Sequence, residues 1–133
     1  MTALFESEYN FKVPFYDVDM MGVVWHGNYI KYIEDARCDM FSKIGYDYMD
    51  MKDEEYVYPI AKMETKYIKP AIFQDELTVK CLLKEIEPAI IIKYTIYNGK
   101  NRIFQAETMQ IAIDAKTRTT IYKAPERLKE LLK

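Results

Sequence analysis

Chemistry is concentrated in one stretch, Phe15-Tyr16-Asp17-Val18-Asp19-Met20-Met21-Gly22-Val23-Val24-Trp25-His26-Gly27-Asn28-Tyr29. It holds two carboxylates, a glycine turn, an apolar run, and the chain's single histidine and single tryptophan. From Asn28 onward apolar residues recur at helical spacing, so the stretch ends where a helix begins. The start of a helix presents backbone N–H groups without intrahelical partners and a partial positive charge. Such an end can polarise a carbonyl and hold the oxyanion formed on attack, and losing one such donor costs about 10²–10³ in rate. A carboxylate held nearby can act as nucleophile or as a base toward water. The pattern points to acyl transfer or hydrolysis. The competing reading is a carboxylate that only shapes its loop and a histidine that orders it.

The elements that must position this stretch follow from periodicity. Tyr9, Phe11, Val13 and Phe15 alternate with polar residues, which predicts a half-buried strand. Tyr29, Ile30, Tyr32, Ile33, Ala36, Met40, Phe41 and Ile44 form a wide apolar stripe, with Asn28 as N-cap and Gly45 just past the end. Residues 46–55 read as a loop or a short helical turn. Four strand-like segments follow, Tyr56 to Lys69, Glu76 to Ile86, Ile90 to Tyr97 and Arg102 to Ile113. Asn98-Gly99 is a hairpin signal, because both residues tolerate positive φ. In the last segment Phe104 and Ala106 have one parity and Met109, Ile111 and Ile113 the other, which requires a bulge or two covered faces. A short helix begins at Pro125. Strand, long helix and four strands make an α+β layout of about five antiparallel strands against one long helix.

The 133 residues correspond to one domain, and half of them are hydrophobic, enough for a core. A net charge of −2 gives no global field for nucleic acid. The N-terminus, Met1-Thr2-Ala3-Leu4-Phe5-Glu6, lacks a basic leader, and no window is long and apolar enough for a membrane span. A cytoplasmic location is the expectation. Cys38 and Cys81 are too few and too far apart for a disulfide framework or a zinc site. No metal is expected. A five-stranded sheet in so short a chain leaves open edges, which association would cover.

The run Asp17-x-Asp19-x-x-Gly22-Val23-Val24-Trp25-His26-x-Asn28-Tyr29, followed by Tyr32 and Glu34-x-x-Arg37, resembles the 4-hydroxybenzoyl-CoA thioesterase family. The likeness is greatest to its Tol-Pal-associated branch. Tyr67-x-x-Pro70-Ala71-x-x-x-Asp75 resembles a later block of the same family, so the likeness covers most of the chain. It implies a hot-dog fold, with the sheet wrapped around the helix, in homodimers that pair into tetramers with sites at the subunit boundary. It implies an acyl-CoA thioesterase whose catalytic carboxylate is Asp19, assisted by His26. The backbone N–H groups of the His26-Gly27 region would hold the carbonyl oxygen. No cofactor is implied; CoA enters as part of the substrate.

Met20-Met21 departs from the small residues common there and bears on the acyl pocket. Glu64 stands where relatives have an uncharged residue. Tyr29 and Glu64 complete the candidates as substrate contacts, each against a plainer role in packing or a surface ion pair. Two other readings stay open, a thioesterase acting on carrier-protein acyl groups and a binding protein that kept the fold without the chemistry.

Overall fold

Alternation in Phe5–Lys12 places Phe5, Tyr9 and Phe11 on one face and Glu6, Glu8 and Asn10 on the other, forming β1 of the computed structural model. The structure describes residues 3–133; Met1 and Thr2, part of the N-terminal segment considered above, lie outside them. The order continues with a 3-10 turn (Phe15–Asp17), α1 (Asn28–Ile44), α2 (Tyr48–Asp53), β2 (Tyr56–Val57) and β3 (Ile60–Tyr67). After these come β4 (Glu76–Glu85), β5 (Ile90–Asn98), β6 (Asn101–Gln110), β7 (Ala112–Asp114), β8 (Thr120–Ile121) and α3 (Glu126–Leu131).

Five strands form an antiparallel sheet in the order β1-β4-β5-β6-β3, and β2, β7 and β8 form a small second sheet. α1 buries Tyr29, Tyr32, Ile33, Ala36, Met40, Phe41 and Ile44. These join Leu77, Val79, Cys81, Leu83, Ile92, Tyr94, Ile96 and Phe104 from the sheet in one core. Gly45 ends the helix at φ 97°, where its N–H meets the Phe41 and Ser42 carbonyls. That left-handed position suits glycine because a Cβ would be crowded there.

Several sequence expectations move by a residue or two. Phe15 leaves the β1 pattern because Pro14 has no N–H to donate to the ladder, and its side chain is exposed. Gly27, not Asn28, is the N-cap of α1; Asn28 sits in the first turn, its side-chain amide donating to the Asp17 carbonyl at 2.8 Å. The segment from Tyr56 splits at Tyr58-Pro59 into β2 and β3. In the β5–β6 hairpin Asn98 pairs with Asn101, so the two turn residues are Gly99 and Lys100, and only Gly99 takes positive φ. The parity change has two sources. A bulge leaves Ile103 between the Ile96–Phe104 and Tyr97–Arg102 pairs. Farther on, the inner face continues through polar Thr108 and Gln110, and the chain breaks at Ile111 before β7.

Candidate active site

The loop between β1 and α1 is built around Asp17. Its carboxylate, 3% exposed, accepts from Lys31 Nζ at 2.6 Å and from Tyr32 Oη at 2.7 Å. Its carbonyl accepts from the Trp25 N–H and from Asn28 Nδ2. One residue thus ties the loop to the first turn of α1. Burial, then the hydrogen bond to Asp17, raises the Tyr32 phenol far above its ordinary value, so it stays a donor.

Asp19 lies two residues on, outside this anchor. Its Oδ1 accepts from the N–H of Met21 at 2.8 Å and, more weakly, of Val23 at 3.4 Å. Its carbonyl accepts from Gly22, which has φ 81°, and its own N–H donates to Val23. The result is a tight turn that places Met20 and Met21 at an exposed tip. No donor meets Oδ2 among the described residues, and the carboxylate faces solvent with one oxygen fixed and one free.

His26 is exposed at the start of α1, its ring centroid 4.9 Å from that of Trp25 and 6.4 Å from that of Tyr67. The Tyr67 hydroxyl donates to the His26 carbonyl at 2.9 Å. Among the described residues, no acceptor meets the backbone N–H of His26, Gly27 or Tyr29. Asn28, between them, is already bonded to the Trp25 carbonyl. The Trp25 indole lies over Gly27 so closely that a Cβ there would overlap its six-membered ring. Glycine at position 27 is therefore explained by the approach of this ring; its backbone is ordinary right-handed helix.

A shallow cleft of about 250 Å³ opens beside this helix end, lined by Val24, His26, Tyr29 and the Tyr67–Pro70 segment. Tyr29 is a buried wall of it: its ring stacks on Phe104 at 5.0 Å, and its hydroxyl oxygen accepts from the Ala71 N–H at 3.1 Å. Burial raises its phenol, partly offset by that N–H. No hydrogen bond or ion pair joins Asp19 to His26 among the described residues. Glu64 stands apart. It shares the outer sheet face with Glu107, opposite to Met63, Thr65 and Tyr67, and pairs with Lys62 at 3.2 Å.

The second matching block proves to be the frame of the first. Ala71 accepts from the Val24 N–H and donates to Tyr29, while Tyr67 holds the His26 carbonyl. Asp75 accepts from the Ile72 N–H and from Asn98 Nδ2, closing the turn against which the loop rests. No local pattern in the sequence assigns these residues a role. Lys31 and Tyr32 as holders of Asp17 carried no signal beyond their place one helical turn into α1. Among the described residues, no group of three or more His, Cys, Asp or Glu side chains is placed to hold a metal ion.

The fold has solved counterparts. A DHNA-CoA thioesterase from Staphylococcus aureus superposes with a TM-score of 0.81 at 28% identity, over 88% of this chain and 80% of that one. Slr0204, a 1,4-dihydroxy-2-naphthoyl-CoA thioesterase from Synechocystis, gives 0.87 at 17% identity over 96% of each chain, a likeness of hot-dog fold alone. In sequence, the acyl-CoA thioesterase YbgC of Helicobacter pylori is 28% identical over 131 residues, covering 91% of this chain and 96% of its own. The family model described as the thioesterase-like superfamily matches residues 13–132, from the residue after β1 to the residue after α3, and the chain belongs to that superfamily.

Proposed function

We propose that this thioester hydrolase cleaves an acyl-CoA, adding water across the thioester to give a carboxylic acid and CoA thiol. Asp19 serves as nucleophile or as the base that takes a proton from water, and the N–H groups of His26 and Gly27 receive the developing oxyanion. The His26 ring assists at the rim. The observation that carries this reading is the coincidence, on one short loop, of a carboxylate oxygen without a donor and backbone N–H groups without acceptors among the described residues. Amide hydrogens aimed at a site where negative charge forms stabilise the transition state more than the ground state. The names of relatives such as the Helicobacter pylori acyl-CoA thioesterase support the substrate class, and the motif supports the Tol-Pal-associated branch.

The same reading includes a homodimer, pairing further into a tetramer. β3 is an edge strand, mostly exposed along its length, and Tyr16, Met20 and Met21 surround Asp19 with apolar side chains more than four-fifths exposed. Unpaired edges and apolar surface favour a second copy.

The test is Asp19→Asn. It keeps the side-chain oxygen that accepts from Met21, so the turn and the fold persist. Turnover of a panel of acyl-CoA substrates, read as thiol release, is expected to fall by about 10³ or more, in line with loss of an acid–base or nucleophilic group. Full turnover in that variant refutes the assignment. The same panel with matched acyl-carrier substrates separates CoA thioesters from carrier-bound ones.

A further inference from the structure

A second cavity, of about 390 Å³, lies toward the other end of α1. Arg37 is ten residues beyond Gly27, about 15 Å along the helix axis at ~1.5 Å per residue. Phe41, Met51 and Tyr58 are among its walls, with Arg37, Cys38 and Gln110 beside them. Gln110 is committed through its Nε2, which donates to the Tyr58 carbonyl at 2.9 Å, while its Oε1 is buried without a partner among the described residues. Arg37 is not. Its side chain is only 13% exposed, yet its contacts are a 3.4 Å hydrogen bond to the Tyr94 hydroxyl and Glu34 Oε1 at 4.0 Å. No other carboxylate among the described residues lies within 4.0 Å of it. Glu34 is itself 53% exposed and weakly placed to neutralise it.

A guanidinium this far out of water without a close anion is costly, and a carboxylate meeting it would form charge-assisted bonds. Asp47 also lines the cavity, but its Oδ1 already accepts from the Asp50 N–H at 3.0 Å, and Phe41, Met49, Met51 and Val57 give the wall an apolar side. We propose that this cavity binds a carboxylate carried on a short apolar chain, its oxygens on Arg37 and its chain against Phe41, Met51 and Tyr58. The volume is that of small-ligand sites in general. Such a ligand is either a free acid or an acyl group bearing a second, terminal carboxylate. The binding stands independently of catalysis at Asp19.

Cys38 is an exposed thiol on the cavity wall, whereas Cys81 is buried and its thiol is pushed up to about 12 by burial, so labelling by a maleimide reports Cys38 alone. Octanoate is expected to slow Cys38 labelling at least tenfold at saturation, while octanol at the same concentration does not. Protection by octanoate assigns the free acid. Protection by octanedioyl-CoA, with neither octanoate nor octanoyl-CoA effective, assigns a carboxylate-ended acyl group. Arg37→Met removes the protection; where that variant does not fold, Met49→Trp, from an exposed position on the cavity rim, fills the space and removes it too. Equal protection by octanol, or none by octanoate and octanedioyl-CoA, overturns the proposal. Asp19→Asn protein gives the same labelling result, which separates this site from the hydrolysis reading.

Discussion

Replacing Asp17 with alanine tests whether one buried carboxylate holds the loop between β1 and α1 on the helix. The bond from Tyr32 Oη to Oδ2, 2.7 Å between two buried residues, is of the charged type worth about 1.5–3 kcal/mol. The Lys31 pair is 2.6 Å long, but its ammonium side chain is 45% exposed, so solvent screening limits it to about 1 kcal/mol or less. Alanine removes both and leaves the Tyr32 hydroxyl buried without an acceptor. The expected loss is about 2–4 kcal/mol, read from urea denaturation of the folded chain. Tyr32→Phe and the double variant complete a cycle, with a coupling of about 1–2 kcal/mol expected for residues in direct contact. Turnover falls along with stability, since Trp25 and Asn28 also depend on the Asp17 carbonyl and the loop carries Asp19. An Asp17→Ala protein within about 0.5 kcal/mol of the parent, or a cycle that is simply additive, refutes the anchoring role.

Two further perturbations read other parts of the structure. Gly27→Ala forces the Trp25 indole off the helix end, and because the chain has one tryptophan, its emission shifts red and acrylamide quenching rises; stability drops by about 1 kcal/mol from the poorer N-cap. Unchanged emission would show that the ring does not need an empty position 27. At alkaline pH the phenols of the buried Tyr29, Tyr32, Tyr46 and Tyr94 and the half-buried Tyr58, all raised chiefly by desolvation, keep their protons longer in the folded chain than in the unfolded one. Tyr58 and the Cys81 thiol are pushed up to about 12. Their contribution is complete below the unfolded values, about 9 for the thiol and about 10 for the phenols, and is lost as pH climbs toward about 12. Melting temperature should therefore fall over that window, with the buried tyrosines ionising together with unfolding in ultraviolet absorbance. Independent, noncooperative ionisation of all twelve tyrosines would contradict it.

Legibility differed by element. α1 runs over the residues its apolar stripe marked, because a wide 3.6-residue period with a terminal glycine has few alternative readings. β4 and β5 were equally plain, since alternation along each puts Leu77, Val79, Cys81, Leu83 and Ile90, Ile92, Tyr94, Ile96 inward. β6 was not. Its inner face passes from Phe104 and Ala106 to Thr108 and Gln110, buried polar residues that meet the Tyr94 hydroxyl and the Tyr58 carbonyl. The two-residue β2 and β8 carry too little pattern to be seen, and they exist through pairing with β7. At the site, the grouping of Asp19, His26 and Gly27 before a helix was visible, while the partners of each were not.

From its residues alone the chain determined the helix α1, the strand count of the main sheet and the stretch where a carboxylate, a histidine and a helix start come together, because these depend on period and short-range spacing. Tertiary structure decided which aspartate is anchored and which is free: Asp17 meets Lys31 and Tyr32 a helical turn away, whereas Asp19 bonds only within its own turn. It also decided that Glu64 faces away from the loop and that Arg37, mostly buried beside a cavity, has only Glu34 at 4.0 Å as a carboxylate neighbour among the described residues. Burial and partner choice are set by segments that meet across the fold, and no local pattern encodes where those meetings occur.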